Sequence, residues 1–501
     1  MSQQRLQAKP ITGIAGSPKP SLVGLFVLLL GGFITVFDLF VVNVAIPAIK
    51  SDLGASFGEI SFVVAGYQLA FGVLLIAGGR LGDAHGRRRL FSLGMLAFSV
   101  ASLLCGVAPS VAMLIVARLL QGLSGALLFP QVYALLRVLY DDIGRRRAFG
   151  LLGMTLGLAA IAGQLLGGCL VQLNLFGLGW RVVFLVNLPI GVFAALLSIA
   201  IPESKVDHSD AVDWLGVALA TLTLVLLMMP LLEGSNAGWP LWTWGSLAGS
   251  VIAFSAFIAW ERRAARIGAS PAVDLKLFRN AGFSIGSLAV LLIYSTASSL
   301  FLCFALLMQS GLGLSPFEAG ALFAPASVGF VAASLIAPKA VERLGNRAIV
   351  GGTLIYALGI AWLSAGVSSL SGRQDATHLL PALIFFGFGQ GLSMTPLLNL
   401  VVGFVEERYA GIAAGIVSTM QQVGAAIGVS IVSIFFAAIL AGHQNSIGIR
   451  SAPYIEAFCG AMIYNLAAAI VAALLLAYLI YGGNQLLSDT LLHRRRRRWR
   501  L

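Results

Sequence analysis

The 501-residue chain is 58% hydrophobic, only 10% charged, and carries a net charge of +12. Soluble domains run at roughly 25% charged residues, so this composition cannot hide its apolar surface from water. It excludes a soluble globular protein and points to a chain that lives in a bilayer.

A hydrocarbon core about 30 Å thick takes roughly 20 apolar residues as helix, because lipid leaves every backbone N–H and C=O to be satisfied within the segment. In chain order such runs fall at 22–48, 60–79, 90–108, 111–136, 148–172, 181–201, 213–232, 242–260, 282–309, 317–338, 348–367, 379–403, 409–441 and 456–481. The fold class expected is an all-α membrane protein with 14 transmembrane helices. Residues 1–21 are polar and proline-containing, and the first run is long enough to span, so it reads as a first helix rather than a cleavable signal.

Charge sets the orientation. With a cytoplasmic amino terminus, the inner side holds Arg5, Lys9, Lys19, the cluster at 80–89, the set at 262–279, Arg408 and the arginine tail. Of the 32 basic residues only Lys50, Arg181, Arg373 and Arg450 fall outside, with Arg118 inside a span. This is the bias of the positive-inside rule, and it places both termini in the cytoplasm. The basic residues are separated by spans instead of sharing one face, which excludes nucleic acid as a partner. The tail "HRRRRRWRL" reads as an anchor to anionic lipid with Trp499 at the interface, or alternatively as a partner site.

No cofactor or metal chemistry can be assembled. Cys105, Cys169, Cys303 and Cys459 lie in or beside apolar spans without CxxC spacing, and His85, His208, His378, His443 and His493 are scattered over loops on both sides. There is no GxxxxGK[ST] loop, so energy for any uphill work comes from a gradient and not from a nucleotide.

The chain repeats itself. "QGLS" at 121–124 recurs at 390–393, and Arg147, Gly150, Gly163 and Gly167 map at an offset of 261 onto Arg408, Gly411, Gly424 and Gly428. "PKAVERLGNR" at 338–347 is a decayed copy of "GGRLGDAHGRRRLF" at 78–91, with Glu342 and Gly345 at the spacing of Asp83 and Gly86 and Arg343 beside them. The division expected is a cytoplasmic tail over 1–21, a six-helix half over 22–201, a linker with two extra helices over 202–281, a second six-helix half over 282–481, and a basic tail over 482–501.

Residues 79–89, "GRLGDAHGRRR", resemble the loop signature between the second and third helices of the major facilitator superfamily. "FDLFVVNVAIP" (37–47), "RLLQGLSGA" (118–126), "GWRVVFLVNLPIG" (179–191) and "VDWLG" (212–216) resemble its 14-helix drug:proton antiporter branch. The match covers essentially all of 22–481 with five motifs in order. The resemblance implies that Gly79, Asp83, Gly86, Arg87 and Arg88, with Glu342 and Arg343 in the copy, form a conformational latch. Asp83 is expected near the positive start of the third helix, while Arg87 and Arg88 reach acids or carbonyls of neighbouring helices. The alternative is a cluster that only sets topology. Ala84 departs from the basic residue the family carries there.

Two ionisable residues lie deep in the first half. Asp38 is nine residues before Pro47 and Arg118 eight after Ser110, which puts both about 12–14 Å below the outer face on antiparallel helices. A charge at mid-membrane costs roughly 2.5–3.5 kcal/mol on the lenient insertion scale and marks a functional site by default. Asp38 is the expected proton carrier, with Arg118 as its partner; the alternative is a static pair.

The stretch "GMTLGLAAIAGQLLGG" (153–168), with Gly157, Gly163, Gly167 and Gly168, resembles the antiporter signature, although Gln164 stands where the family has proline. Small residues there permit close helix approach. Asn43, Gln68, Gln121, Tyr294, Met394, Asn399, Gln421 and Gln422 are the substrate-binding candidates by depth and polarity, or else interhelical glue. The function expected is proton-coupled efflux of lipophilic or amphipathic small molecules by a monomer in the plasma membrane, the inner membrane of a bacterium. A metabolite symporter or facilitator and a non-transporting sensor are the alternatives.

Overall fold

The computed structural model describes residues 22–205, 212–234, 237–268, 271–370, 373–406, 409–442 and 451–482. Arg5, Lys9, Lys19, His208, Arg408, His443, Arg450, His493 and Trp499 lie outside the described residues. The first group of helices is α1 (Leu22–Leu53), α2 (Phe57–His85), α3 (Arg87–Gly106), α4 (Val111–Leu139), α5 (Asp142–Leu173), α6 (Val182–Leu185) and α7 (Asn187–Leu197). A pair follows, α8 (Trp214–Glu233) and α9 (Leu241–Arg266). The last group is α10 (Ala281–Leu306), α11 (Pro316–Leu344), α12 (Arg347–Ser368), α13 (Leu380–Val402), α14 (Ala410–Gly442) and α15 (Ala452–Ala477). Among the described residues fourteen spans are long and apolar enough to cross a membrane, α6 and α7 jointly forming one, Gly179–Ala200. No strand occurs among the described residues.

The helices start where polar side chains can take up orphan amides. Ser56 with Glu59 and Ser315 with Glu318 form complete capping boxes, and Ser110, Asp141, Asp213 and Asn280 accept from the first turns of α4, α5, α8 and α10. The sixth span breaks at Val186 because Pro189 has no N–H to offer the Leu185 carbonyl. The break brings Asn187 to a helix start in mid-bundle.

Packing repeats between the groups as the sequence does. Gly163 and Gly167 of α5 lie against Phe37, Phe40 and Val41 of α1, while Gly424 and Gly428 of α14 lie against Leu291 and Ser295 of α10. Across the groups, α2 packs on α14 and α5 on α11. The pair α8–α9 stands beside this seam, α8 touching both α2 and α14.

The apolar core is continuous at one end only. Towards the side that the charge bias assigns to the outside, a single cluster joins Phe57, Phe184 and Ile46 of the first group to Phe304, Phe323 and Phe436 of the second. Phe57 stacks on Phe436 at 5.2 Å, Ser61 Oγ meets Ser433 Oγ at 2.5 Å, and Gln309 donates to the Val44 carbonyl at 2.9 Å. Towards the other side the core splits in two, one part around Phe71, Phe91 and Leu135, the other around Phe283, Met394 and Val401. The end that the charge bias makes the outer one therefore has one continuous apolar core, and the end it makes the inner one has two separate ones.

Candidate functional site

Asp38 and Arg118 are 0% and 1% exposed and meet at 2.5 Å. Asp38 accepts two more hydrogen bonds on its other oxygen, from Gln121 Nε2 at 2.8 Å and Asn187 Nδ2 at 3.0 Å. Gln121 also accepts from Arg118 Nη1 at 2.7 Å and donates to Ser102 Oγ at 2.8 Å. Arg118 Nε donates to the Val63 carbonyl at 3.2 Å, and its guanidinium lies over the Tyr67 ring at 4.3 Å and the Phe184 ring at 5.7 Å. Five spans thus converge on one buried ion pair. Burying both charges is costly, and only saturated hydrogen bonding of this kind makes it tolerable. Among the described residues no group of acids, cysteines and histidines could hold a metal ion.

The second cluster sits at the inner end. The expected loop is a single residue: α2 runs on to His85, Gly86 alone leaves the helix, and α3 begins at Arg87. Gly86 has φ 105°, a conformation that L side chains resist, and a Cβ there would meet the Glu203 carboxyl at 2.8 Å. Asp83 is not at the start of α3; it pairs with Arg87 at 2.8 Å across the break. The acid that caps α3 is Glu203, accepting from the Arg88 and Arg89 amides at 2.9 and 3.2 Å, with their side chains at 3.6 and 3.8 Å. Arg87 also donates through its amide to the Ser204 carbonyl at 2.9 Å and through Nη1 to Ser204 Oγ at 3.1 Å. Sequence reading missed Glu203 because it lies more than a hundred residues from its partners.

A family model described as Major Facilitator Superfamily matches residues 28–429. The chain belongs to the major facilitator superfamily. The chain is 36% identical over 439 residues to the "Probable actinorhodin transporter" of Streptomyces coelicolor, covering 87% of this chain and 76% of that protein. It is 32% identical to the "Tetracenomycin C resistance and export protein" of Streptomyces glaucescens, covering 85% and 78%. It is also 32% identical to the "Drug efflux pump JefA" of Mycobacterium tuberculosis, covering 82% and 79%. Its fold matches a bacterial homolog of the human lysosomal transporter Spinster, in an inward-facing and unoccupied conformation, with TM-score 0.66 and 16% identity over 95% of this chain and 99% of that one. The fold also matches a D-xylose-proton symporter, with TM-score 0.61 and 15% identity over 91% and 96%. The protein is a multi-pass transporter of the cell membrane.

The remaining expected residues disperse. Gly79 has open space around it; the close approaches in that stretch are made by Gly78 against the Ala126 carbonyl and Gly82 against the Gln131 amide. Glu342 and Arg343 are exposed on the last turns of α11. Gly157 faces Val331 and Gly168 faces Pro316 and Phe317, so the glycines of α5 serve two neighbours, α1 and α11. Gln164 accepts from Ser327 of α11 at 3.3 Å.

Among the substrate candidates, Gln121 lies in the Asp38 cluster, with both ends of its amide engaged and the side chain fully buried. Met394 belongs to the apolar core. Asn399 lines a cavity of about 400 Å³ between the inner ends of α11, α12 and α13, apart from the others. Gln68 donates to Ser298 Oγ at 2.9 Å across the two groups, and Asn43 donates to the Leu39 carbonyl at 2.8 Å; each keeps a buried oxygen without a partner. Tyr294, Gln421 and Gln422 are half-buried, Gln422 against Gly72. The Asp38 network's further members, Asn187, Ser102 and Tyr67, were not among the expected site residues, because Asn and Ser in a span carry no signal of depth or direction.

Proposed function

We propose that this transporter exports lipophilic small molecules in exchange for protons by alternating access. The observation that carries the reading is the buried Asp38–Arg118 pair, in a bundle parted on the inner side. The names of its relatives, which speak of antibiotic and drug export, supply the substrate class.

Asp38 is the proton carrier and Arg118 its counter-charge. Protonation of Asp38 cancels the ion pair and frees Arg118 to hold Gln121 and the Val63 carbonyl alone. The network spans α1, α3, α4 and the broken sixth span, so a change of charge at its centre is felt by the whole first half. Asn43, Gln68, Tyr294, Gln421 and Gln422 supply polar contacts to a largely apolar substrate. The cluster at the α2–α3 break, Asp83, Gly86, Arg87 and Arg88 with Glu203, holds the inner ends of the first half together as a unit during the rocking motion. Both termini face the cytoplasm, the halves run 22–201 and 282–481, and the transporter works as a monomer.

Reconstitution into sealed vesicles tests this. An imposed pH gradient is expected to drive concentrative movement of lipophilic cations or neutral antimicrobials, with counterflow of protons. Movement only down the substrate's own gradient would make the protein a facilitator.

A further inference from the structure

The segment leading into α10 is gripped at three successive residues by three different helices. Arg80 of α2 donates to the Pro271 carbonyl at 2.6 Å, Asp213 at the start of α8 accepts from the Ala272 amide at 3.3 Å, and Glu261 of α9 accepts from the Val273 amide at 3.2 Å. Ala272 fills the small apolar joint between Ala77 of α2 and Val217 of α8. The inserted pair is thereby the link between the end of α2 and the start of the second half.

Two carboxyl groups converge on one glycine in this joint. Glu261 is 1% exposed, and its Oε1 has no hydrogen-bond partner. The same Oε1 and Asp213 Oδ2 converge on Gly216, where a Cβ would meet each at 2.6 Å. Asp213 is well supplied, with Trp260 Nε1 on both oxygens at 2.9 and 3.0 Å and the Gly216 amide at 2.9 Å. The groups that face Glu261 are Asp213 from α8, Arg80 from α2, and the amides of Ala272 and Val273. A buried acid oxygen with no donor, beside a second acid, is an unsatisfied arrangement unless a proton lies between them. The glycine at 216 leaves room for that contact.

We propose that Glu261 and Asp213 bind one proton between them, a second proton site of this transporter separate from the Asp38 cluster. Occupied, it lets both carboxyls keep their hold on Ala272 and Val273. Emptied, it leaves two like charges converging on Gly216, one of them buried, and loosens the segment that carries α10. This site does not depend on Asp38 being the coupling residue.

The test compares the purified full-length protein with Glu261→Gln, Asp213→Asn and Asp38→Asn between about pH 5 and about pH 9. Infrared spectroscopy reads the C=O stretch of protonated carboxyls, and hydrogen exchange with mass spectrometry reads the Ala272 and Val273 amides. The wild type is expected to show a protonated-carboxyl band at neutral pH that Glu261→Gln and Asp213→Asn each lack and Asp38→Asn keeps. After correction for intrinsic base catalysis, exchange at Ala272 and Val273 is expected to rise about tenfold as the band titrates away in the wild type and to stay level in Glu261→Gln. Asparagine still caps α8, so Asp213→Asn carries the test if Glu261→Gln fails to fold. Superimposable bands in wild type and Asp213→Asn, or loss of the band in Asp38→Asn alone, would overturn the proposal.

Discussion

Asp38 and Arg118 face each other at 2.5 Å with almost no solvent access, and each is the other's only counter-charge in the cluster. Removing one partner of such a pair strands the other, at a cost of about 3–5 kcal/mol, whereas removing both charges together costs far less. Arg118→Met is therefore expected to lower thermal stability in detergent strongly on its own and only weakly in an Asp38→Asn background. Additive losses in that double-mutant cycle would mean that the two residues act independently.

Gly86 and Gly345 occupy equivalent breaks in the two halves, with φ 105° and 62°. Only at Gly86 would a Cβ also strike a neighbour, the Glu203 carboxyl; Gly345 has nothing within 4 Å. Gly345→Ala is expected to cost about 1 kcal/mol of backbone strain and Gly86→Ala about 2–3 kcal/mol, with a matching difference in expression and melting temperature. Equal effects would remove the packing argument.

Glu203→Gln keeps an acceptor for the α3 amides but deletes the charge that holds Arg88 and Arg89. The expected stability loss is below about 1 kcal/mol, because the site is partly exposed. Transport is expected to fall well beyond what that loss explains, and Asp83→Asn to fall similarly. Full transport at normal expression in both variants would reduce the cluster to a determinant of topology.

The hydroxyls of Ser61 and Ser433 meet at 2.5 Å across the two halves at the closed end. A Ser61→Cys, Ser433→Cys pair in a background without the four native cysteines is expected to form a disulfide on oxidation. Crosslinked protein should lose transport and regain it on reduction. Undiminished transport by the oxidised pair would show that this end does not open.

The spans were legible because lipid imposes a length and a composition on them, whereas which helices the α5 glycines meet came only from the packing. The break between α2 and α3 was not legible: "RLGDAH" looks like a loop by polarity, yet it is the last part of α2, and its Asp83 pairs with Arg87 across the break. Asp38 and Arg118 declared themselves by charge, whereas Asn187, Ser102 and Gln121 became a network only through tertiary contact. Glu261 was passed over because the apolar run of α9 ends one residue before it. Its burial comes from Ala272, Val273 and Asp213, which no local pattern connects to it.

In the proposed exchange Asp38 carries the coupled proton. One proton entering down 100 mV supplies about 2.3 kcal/mol, enough for a roughly fifty-fold gradient of a neutral solute exchanged one for one. Asp38→Asn keeps the size and most of the hydrogen bonding of the side chain while abolishing its titration. The decisive measurement is simultaneous recording of substrate accumulation and interior pH in energised vesicles. The mutant is expected to bind and equilibrate substrate without concentrating it and without substrate-induced proton movement; proton release at the wild-type rate from the mutant would contradict the account and leave the Asp38–Arg118 pair a structural one.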